Sequence, residues 1–469
     1  MCQKSENAKH IINGIMATQK QVNYQIPFVT LVVLFFFVGF LTTVNGQFQG
    51  PLKNVFLSDA GELKNTFATL ISFAWFLAYP LTGRTASACV TRYGYKNTLI
   101  LGLLLLVGGL GLFWFSSVYT VKFPQSCFSI GTAIVPWGYI IFLLGSYVAG
   151  AAATVLQVVI NPYLTACEVK GTQPVQRLNI GGTANSVGTT IAPFFVTGIV
   201  FGGMAMEKIH VSQIQSAFVW LMIVIILVVL IFTQMRLPDI QGTRAQNGEI
   251  LEKSVWSFRH LTLGVIAIFF YVGVEVCVGA NINLYTQELE KGGRSFFFLG
   301  MNSFSICGIN MSVPALMATL YWGGMLIGRL ISSFMSGVSA RLQLAAAAAL
   351  AGISTIGAIG LDNPWILVIV GLFHSVMWGA IFTLSVRKLG KYTSVASGIF
   401  MIGVIGGSLL PLCQGVFADI LGGAWRWTWL IVVLGEAYIL YYALYGSEVR
   451  ESMESVSYTH LRAHETEAD

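Results

Sequence analysis

The stretch LVVLFFFVGFLTTVNGQFQ at residues 31–49 decides the fold of this 469-residue chain. It contains no charged residue and is long enough to cross the hydrocarbon core of a bilayer, about 30 Å, as a helix. Inside that core every backbone amide needs a partner within the protein, which favours helices over open strands. Apolar stretches of this kind recur along the chain, which is 55% hydrophobic and 10% charged. The sequence therefore predicts an all-α membrane protein.

Twelve apolar stretches of about 20 residues are expected to be transmembrane helices. Their predicted ranges are 27–49, 65–83, 97–118, 138–164, 180–202, 216–235, 260–284, 312–333, 341–361, 364–386, 394–420 and 427–446. The longest polar connection, 237–258, separates six helices from six. Two six-helix halves joined by one polar linker resemble the major facilitator superfamily fold, whose halves are structural repeats.

These boundaries divide the chain into five parts. We predict an N-terminal segment at 1–25, an N-terminal six-helix half at 26–236, a linker at 237–258, a C-terminal six-helix half at 259–447 and a tail at 448–469. The composition of the tail changes abruptly near Ser455, so we expect it to be disordered and partly non-native. With the N-terminus in the cytoplasm, 19 of the 26 Lys and Arg residues fall on the inner side. Both termini are therefore predicted to be cytoplasmic.

The remaining composition excludes several function classes. The basic residues are scattered singly between apolar runs, so no nucleic-acid partner is expected. The seven cysteines have no paired spacing, so neither a metal site nor a disulfide framework is predicted. The sequence contains no nucleotide-binding motif and no constellation of nucleophile and base, which predicts neither an ATP-driven pump nor an enzyme and implies no cofactor. We expect a monomer surrounded by the lipid bilayer.

Amide side chains mark one face of the first span and one face of the fourth. Asn45 and Gln49 are four residues apart, as are Gln157 and Asn161, so each pair lies on one side of its helix. Polar groups at membrane depth normally face a bundle interior or a water-filled cavity. The alternative is that they form interhelical hydrogen bonds, worth about 1 kcal/mol each.

The seventh and tenth spans carry comparable stripes. Glu275 and Asn283 lie on one face of the seventh span, and His374 and Trp378 are an i, i+4 pair in the tenth. Spans one, four, seven and ten surround the central cavity of a facilitator bundle, so their polar faces predict a solute-binding chamber. Trp378 offers a flat apolar ring face in this chamber, on which the C–H face of a solute could stack.

Two carboxylates, Glu275 and Glu436, lie well inside predicted spans. An unpaired ionised carboxylate is costly in hydrocarbon, so each is expected to have a partner. Glu275 lies on a polar stripe and is predicted to be functional, with His374 as its titratable companion. Glu436 lies among apolar residues of the last span and is predicted to be a structural or partly snorkelling acid.

Five segments carry a family resemblance. They are FFFVGFLTTVNGQ (35–47), LQVVINPYL (156–164), QRLNIGGTANSVGTTIAP (176–193), FFYVGVEVCVGANINLY (269–285) and GGSLLPLCQGVFAD (406–419). Together they resemble the fucose permease and glucose/galactose transporter family of bacterial sugar transporters, within the major facilitator superfamily. The resemblance implies import of a monosaccharide such as glucose, galactose or fucose across the inner membrane, usually with a proton or a sodium ion.

The resemblance also implies site residues. Asn45, Gln157, Asn161 and Asn185 match polar positions in the motifs of the family, and Glu275 matches an acidic position of its glucose/galactose branch. These residues are therefore candidates for sugar binding, together with the amides and the tryptophan of the polar faces described above.

Two positions depart from the family pattern. Fucose permeases that use protons have an acid directly after the residue that matches Asn45 and a Glu four residues before the Asn-Pro pair. Here these positions are Gly46 and Gln157, and neither can carry a proton. Our hypothesis is that Glu275 is the residual coupling or sugar-binding carboxylate. The alternatives are a facilitator without ion coupling and, from another class, a sugar sensor built on a transporter scaffold.

Overall fold

The computed structural model describes residues 24–58, 60–131, 133–167, 169, 174–202, 209–235, 253–301, 303–306, 309–333, 338–389 and 392–450. The predicted N-terminal segment, linker and tail lie largely outside these residues, so their boundaries stay predictions. Within the described ranges the chain forms long helices and two short hairpins, which confirms the all-α class.

Twelve long helices account for most of the described residues. The first half contains α1 (Gln25–Phe56), α2 (Gly61–Val90), α3 (Arg92–Lys122), α4 (Trp137–Ala166), α5 (Pro174–Phe194) and α6 (Ile214–Gln234). The second half contains α7 (Arg259–Lys291), α8 (Val313–Ser333), α9 (Ala340–Leu361), α10 (Trp365–Ser385), α11 (Gly398–Ile420) and α12 (Arg426–Gly446). Each predicted span corresponds to one helix. Several helices are longer than predicted because the helix continues into the polar boundary of the membrane.

The polarity of α5 sets it apart. Eleven of the helices in the described ranges are long and apolar enough to span a membrane, and α5 is not among them. Asn185 Nδ2 of α5 donates to the Phe35 carbonyl of α1 at 3.0 Å, and the Gly182 carbonyl accepts from Arg329 Nη1 of α8 at 2.7 Å. Because α5 contacts protein on two sides, its polar groups find partners and it needs less apolar surface.

Two antiparallel hairpins interrupt the helical order. β1 (Cys127–Ile130) pairs with β2 (Ala133–Pro136), and β3 (Ser303–Ile306) pairs with β4 (Ile309–Ser312). Neither hairpin was expected from the sequence. Strands of four residues are too short to display the apolar alternation by which strands are recognised.

Close helix contacts repeat between the two halves. A Cβ atom added at Gly150 of α4 would overlap the Trp75 carbonyl oxygen of α2, and one added at Gly371 of α10 would overlap the Tyr321 carbonyl oxygen of α8. The helices α2 and α8 hold equivalent places in the two halves, as do α4 and α10. The repeat is therefore visible in the packing, where small residues let two backbones approach each other.

The bundle has two ends, which differ in how the halves meet. We call the end where α1 finishes and α2 begins the distal end, and the end where α1 begins and α12 finishes the proximal end. At the distal end, residues of α1 and α2 from the first half meet residues of α7 and α11 from the second half. A separate contact between the halves is the hydrogen bond from Arg329 of α8 to the Gly182 carbonyl of α5.

Replacing Gly150 with alanine tests this packing. We expect the added methyl group to lower the thermal unfolding midpoint of the detergent-purified protein by several degrees, because overpacking costs about 1–3 kcal/mol. Gly108→Ala is the matched control, since Gly108 is exposed and its added Cβ would meet nothing within 4 Å. Equal midpoints for the two variants would contradict the close approach of α2 and α4.

Candidate functional site

The first and seventh helices are joined at the distal end. Gln47 Nε2 of α1 donates to the Gly279 carbonyl of α7 at 3.0 Å. One turn and a half further on, Lys53 Nζ lies 2.8 Å from Glu288 Oε1 and donates to Asn65 Oδ1 at 2.6 Å. The Lys53 side chain is only 4% exposed. These contacts connect the two halves of the molecule.

Asp419 of α11 makes a second connection between the halves. Its Oδ1 accepts hydrogen bonds from Asn65 Nδ2 at 2.7 Å and Asn65 N at 3.2 Å. Its Oδ2 accepts from Thr66 N at 2.7 Å and Thr66 Oγ1 at 2.6 Å. The first N–H groups of a helix have no partner within the helix, and they attract a negative charge. Asp419 therefore caps α2 from the other half.

These contacts form one unit, which we call the distal closure: Gln47, Lys53, Asn65, Glu288 and Asp419. None of them was a predicted site residue. The sequence feature that could have predicted this unit is a pair of opposite charges near the ends of two equivalent spans, Lys53 on the first and Glu288 on the seventh.

Three of the predicted site residues are buried in packing contacts near this closure. Asn45 is 2% exposed, its Nδ2 donates to the Ile71 carbonyl at 3.2 Å, and its Oδ1 accepts from Ser146 Oγ at 2.8 Å. Gln49 Nε2 donates to the Ser72 hydroxyl. As placed, these amides join α1 to α2 and α4 and do not line an open chamber.

Asn283 is placed in the same way. It is 2% exposed, and its Oδ1 accepts from Gln287 Nε2 at 2.9 Å. Its amide lies against Gly50 of α1, where an added Cβ would approach Asn283 Nδ2 to 3.3 Å. Asn283 thus belongs to the contact between α1 and α7, just beneath Lys53.

Other predicted residues keep partial exposure in the middle of their helices. Gln157 of α4 is half-buried, and its Nε2 donates to Tyr79 Oη of α2 at 2.6 Å. Asn161, one turn further along α4, is also half-buried. Asn185 is half-buried too, but its amide is directed to the α1 backbone. Partial exposure of polar groups at this depth is typical of a wet interior surface.

The second half contributes a carboxylate and an aromatic ring. Glu275 of α7 is half-buried, and Arg329 and His374 lie within electrostatic range of its carboxylate. Trp378 of α10 is half-buried, with its ring 6.4 Å from that of Tyr271. A carboxylate on α7 and an indole on α10 offer a strong acceptor and a flat apolar surface.

His374 does not hydrogen-bond to the Glu275 carboxylate as expected. Its Nε2 lies 2.7 Å from Glu436 Oε1 on α12, and both side chains are buried. The two residues are far apart in sequence, so helical periodicity did not reveal their contact. In the described ranges, no group of three or more His, Cys, Asp or Glu side chains is placed to hold a metal ion.

The chain is similar to curated bacterial transporters along nearly its whole length. It is 31% identical to the glucose/galactose transporter of Brucella abortus, over 92% of this chain and 96% of that protein. It is 28% identical to a putative glucose/galactose transporter of Helicobacter pylori, over 90% and 97%. Identity to the L-fucose-proton symporter of Escherichia coli is 23%, over 85% and 88%. No protein-family model matches the chain.

Solved structures share the fold. An E. coli fucose:proton symporter superposes with a TM-score of 0.63 at 22% identity, over 91% of this chain and 100% of that chain. A D-xylose-proton symporter gives a TM-score of 0.62 at 13% identity, over 90% and 98%. These similarities confirm the predicted two-half, twelve-helix architecture.

Lys53→Ala tests the distal closure. A cysteine at Ala280, which is 5% exposed and packs under Gly46, reports on access to the contact between α1 and α7. In a background without the seven native cysteines, we expect Lys53→Ala to speed labelling by a membrane-impermeant maleimide roughly tenfold or more. Tenfold needs only about 1.4 kcal/mol, and hydrogen bonds to a charged group such as the Lys53 ammonium contribute about 1.5–3 kcal/mol each.

Lys64→Ala is the matched control for this experiment. Lys64 lies at the same end of the bundle and forms no ion pair with the described residues. Equal labelling rates in Lys53→Ala and Lys64→Ala would show that the ion pair does not hold the distal end closed.

Proposed function

The chain belongs to the family of bacterial glucose/galactose transporters within the major facilitator superfamily, and on that premise we propose that it imports a monosaccharide by alternating access. It is a transporter and not an enzyme. The observation that carries the proposal is the combination of a sealed distal end with partly exposed polar groups below it, on helices from both halves. A two-half bundle of this kind exposes a midplane site to one side at a time.

The chemistry of these groups suits an uncharged sugar. The Gln157 amide and the Tyr79 hydroxyl donate and accept hydrogen bonds, as a sugar hydroxyl requires. Glu275 on the opposite half is a stronger acceptor, and Trp378 presents a ring on which the C–H face of a hexose stacks. Relatives of this chain are named for glucose, galactose and L-fucose, which all carry such hydroxyls.

We assign the orientation from the charge distribution. The distal end is periplasmic, the proximal end and both termini are cytoplasmic, and the protein lies in the bacterial inner membrane as a monomer. In this orientation the distal closure separates the sugar site from the periplasm. Breaking the contacts of Lys53 and Asp419 is then part of opening towards the outside.

We infer that sugar transport by this chain is coupled to an ion, because it is similar to proteins named as proton symporters. The first half of this chain has Gly46 and Gln157 where proton-coupled fucose permeases have acids. Among the described residues, the carboxylates and histidines in the middle of the helices lie in the second half, among them Glu275 and His374. Two other candidate functions remain. A facilitator without coupling would move sugar across the membrane but would not concentrate it. A sugar sensor would bind sugar without moving it.

Uptake into proteoliposomes tests the function. We expect exchange of labelled galactose for internal unlabelled galactose, and competition among glucose, galactose, fucose and N-acetylglucosamine identifies the preferred sugar. Accumulation against a gradient is expected when an inward proton gradient is imposed. Absence of exchange with every sugar of the panel would contradict the proposal, and exchange without accumulation under either a proton or a sodium gradient would support the facilitator.

Glu275→Gln tests the sugar site. We expect the KM for sugar exchange to rise roughly tenfold or more, because a hydrogen bond to a charged acceptor is worth about 1.5–3 kcal/mol. Glu290→Gln is the control, since Glu290 lies exposed near the end of the same helix. A loss of accumulation with unchanged exchange would assign Glu275 to ion coupling, and unchanged kinetics in both assays would remove it from the site.

A further inference from the structure

The second half holds a buried pair of titratable side chains outside the proposed sugar site. His374 Nε2 lies 2.7 Å from Glu436 Oε1, and His374 Nδ1 lies 2.7 Å from the hydroxyl oxygen of Tyr321 on α8. The side chains of His374 and Glu436 are 0% and 1% exposed. Both nitrogens of the imidazole are therefore hydrogen-bonded, and neither member of the pair reaches water.

Several titratable or charged groups surround the pair. The titratable or charged groups that face it from the helices packed against it are Tyr271, Glu275 and Cys277 on α7 and Tyr321 and Arg329 on α8. The helix α9 approaches Glu436 at Gly352. Arg329 is the permanent cation of this group, and it donates hydrogen bonds to the main-chain carbonyls of Ser375 and Gly182.

Burial gives the pair a preferred protonation state. His374 and Glu436 are together neutral when they hold one shared proton, and they carry one negative charge without it. A net charge sealed from water is costly, and Glu436 Oε2 has no hydrogen-bond partner among the described residues. The sealed cluster therefore favours the protonated pair, and loss of the proton requires access to water.

Tyr321 connects this protonation state to the helix α7. Its hydroxyl lies within reach of two acceptors, His374 Nδ1 at 2.7 Å and the main-chain carbonyl oxygen of Glu275 at 3.2 Å. When Nδ1 is unprotonated, it accepts the hydroxyl proton of Tyr321. When Nδ1 gains a proton it becomes a donor, so the hydroxyl proton turns to the carbonyl of Glu275. One proton thus makes or removes a hydrogen bond to α7.

The pair also lies at a break in α10. The helix Trp365–His374 ends at the histidine, and the next helical segment, Met377–Ser385, begins three residues later. Arg329 Nε donates to the Ser375 carbonyl within the break at 3.3 Å, and Arg329 Nη1 donates to Gly182 on α5 of the first half at 2.7 Å. Ser375 and Val376 keep right-handed helical backbone angles, so α10 is interrupted only in its hydrogen bonding. A charge change at His374 therefore acts where the two halves meet.

We propose that the His374–Glu436 pair binds the proton that drives sugar import. This inference rests on the proposed function. The proton enters from water when the distal end is open and binds at His374 Nδ1, the loaded bundle rocks, and the proton returns to water at the proximal side. Only an N–H bond forms and breaks, and no group is oxidised or reduced. The pair replaces the acids that are absent at Gly46 and Gln157.

Glu436→Gln in proteoliposomes tests the assignment. We expect sugar exchange close to that of the wild-type protein, loss of accumulation under an imposed proton gradient, and loss of the alkalinisation outside the vesicles that accompanies sugar entry. Sugar exchange needs no net proton movement, so it distinguishes coupling from folding. Glu448→Gln is the matched control, because Glu448 is exposed just beyond the end of α12, and it should retain all three activities.

Two further measurements keep the assignment falsifiable if Glu436→Gln does not fold. Tyr321→Phe keeps the ring and the buried pair but removes the hydroxyl between His374 and α7, so it should retain exchange and lose accumulation. The wild-type protein should accumulate sugar under a proton gradient without sodium. Accumulation by Glu436→Gln or Tyr321→Phe at the wild-type level, or wild-type accumulation that needs sodium, would overturn the assignment. Absence of wild-type exchange would instead overturn the proposed function.

Discussion

A polar side chain at membrane depth must find a partner, because the surrounding hydrocarbon offers none. In this bundle that requirement is met mostly between helices. Asn45 joins α1 to α2 and α4, and the carboxylate of Asp419 caps α2 from the opposite half. Polar groups whose hydrogen bonds are complete hold the helices in place. The groups left with partial exposure, such as Gln157 and Glu275, are the ones available to a solute.

The helical architecture could be predicted because apolar length alone identifies a membrane span. The split into two halves followed from the polar linker, and the family followed from motifs such as LQVVINPYL at 156–164. The fifth span was predicted as an apolar stretch at 180–202, whereas the helix α5 begins earlier, at Pro174, within the polar part of the motif. The two hairpins were not predicted, since strands of four residues leave no periodic signal.

The site was only partly predictable. Helical periodicity states which residues share a face, but it does not state which neighbour that face meets. Asp419 and Asn65 are 354 residues apart, and His374 and Glu436 are 62 apart, so neither pairing has a local signature. Asn45 was expected at an open chamber for the same reason: its face was correctly read as interior, but the hydroxyl of Ser146 that occupies it comes from another helix.

The two halves repeat in backbone packing but differ in charge. At mid-membrane the first half presents neutral polar groups, Gln157 and Tyr79, whereas the second half carries Glu275, Arg329, His374 and Glu436. A neutral half can bind and release sugar hydroxyls without moving a charge through the barrier. A charged half can respond to a proton, provided that its charges balance when it is sealed from water. The division between sugar recognition and proton response then follows the boundary between the repeats, and Arg329, bonded to the Gly182 carbonyl, is one of the side chains that bond across it.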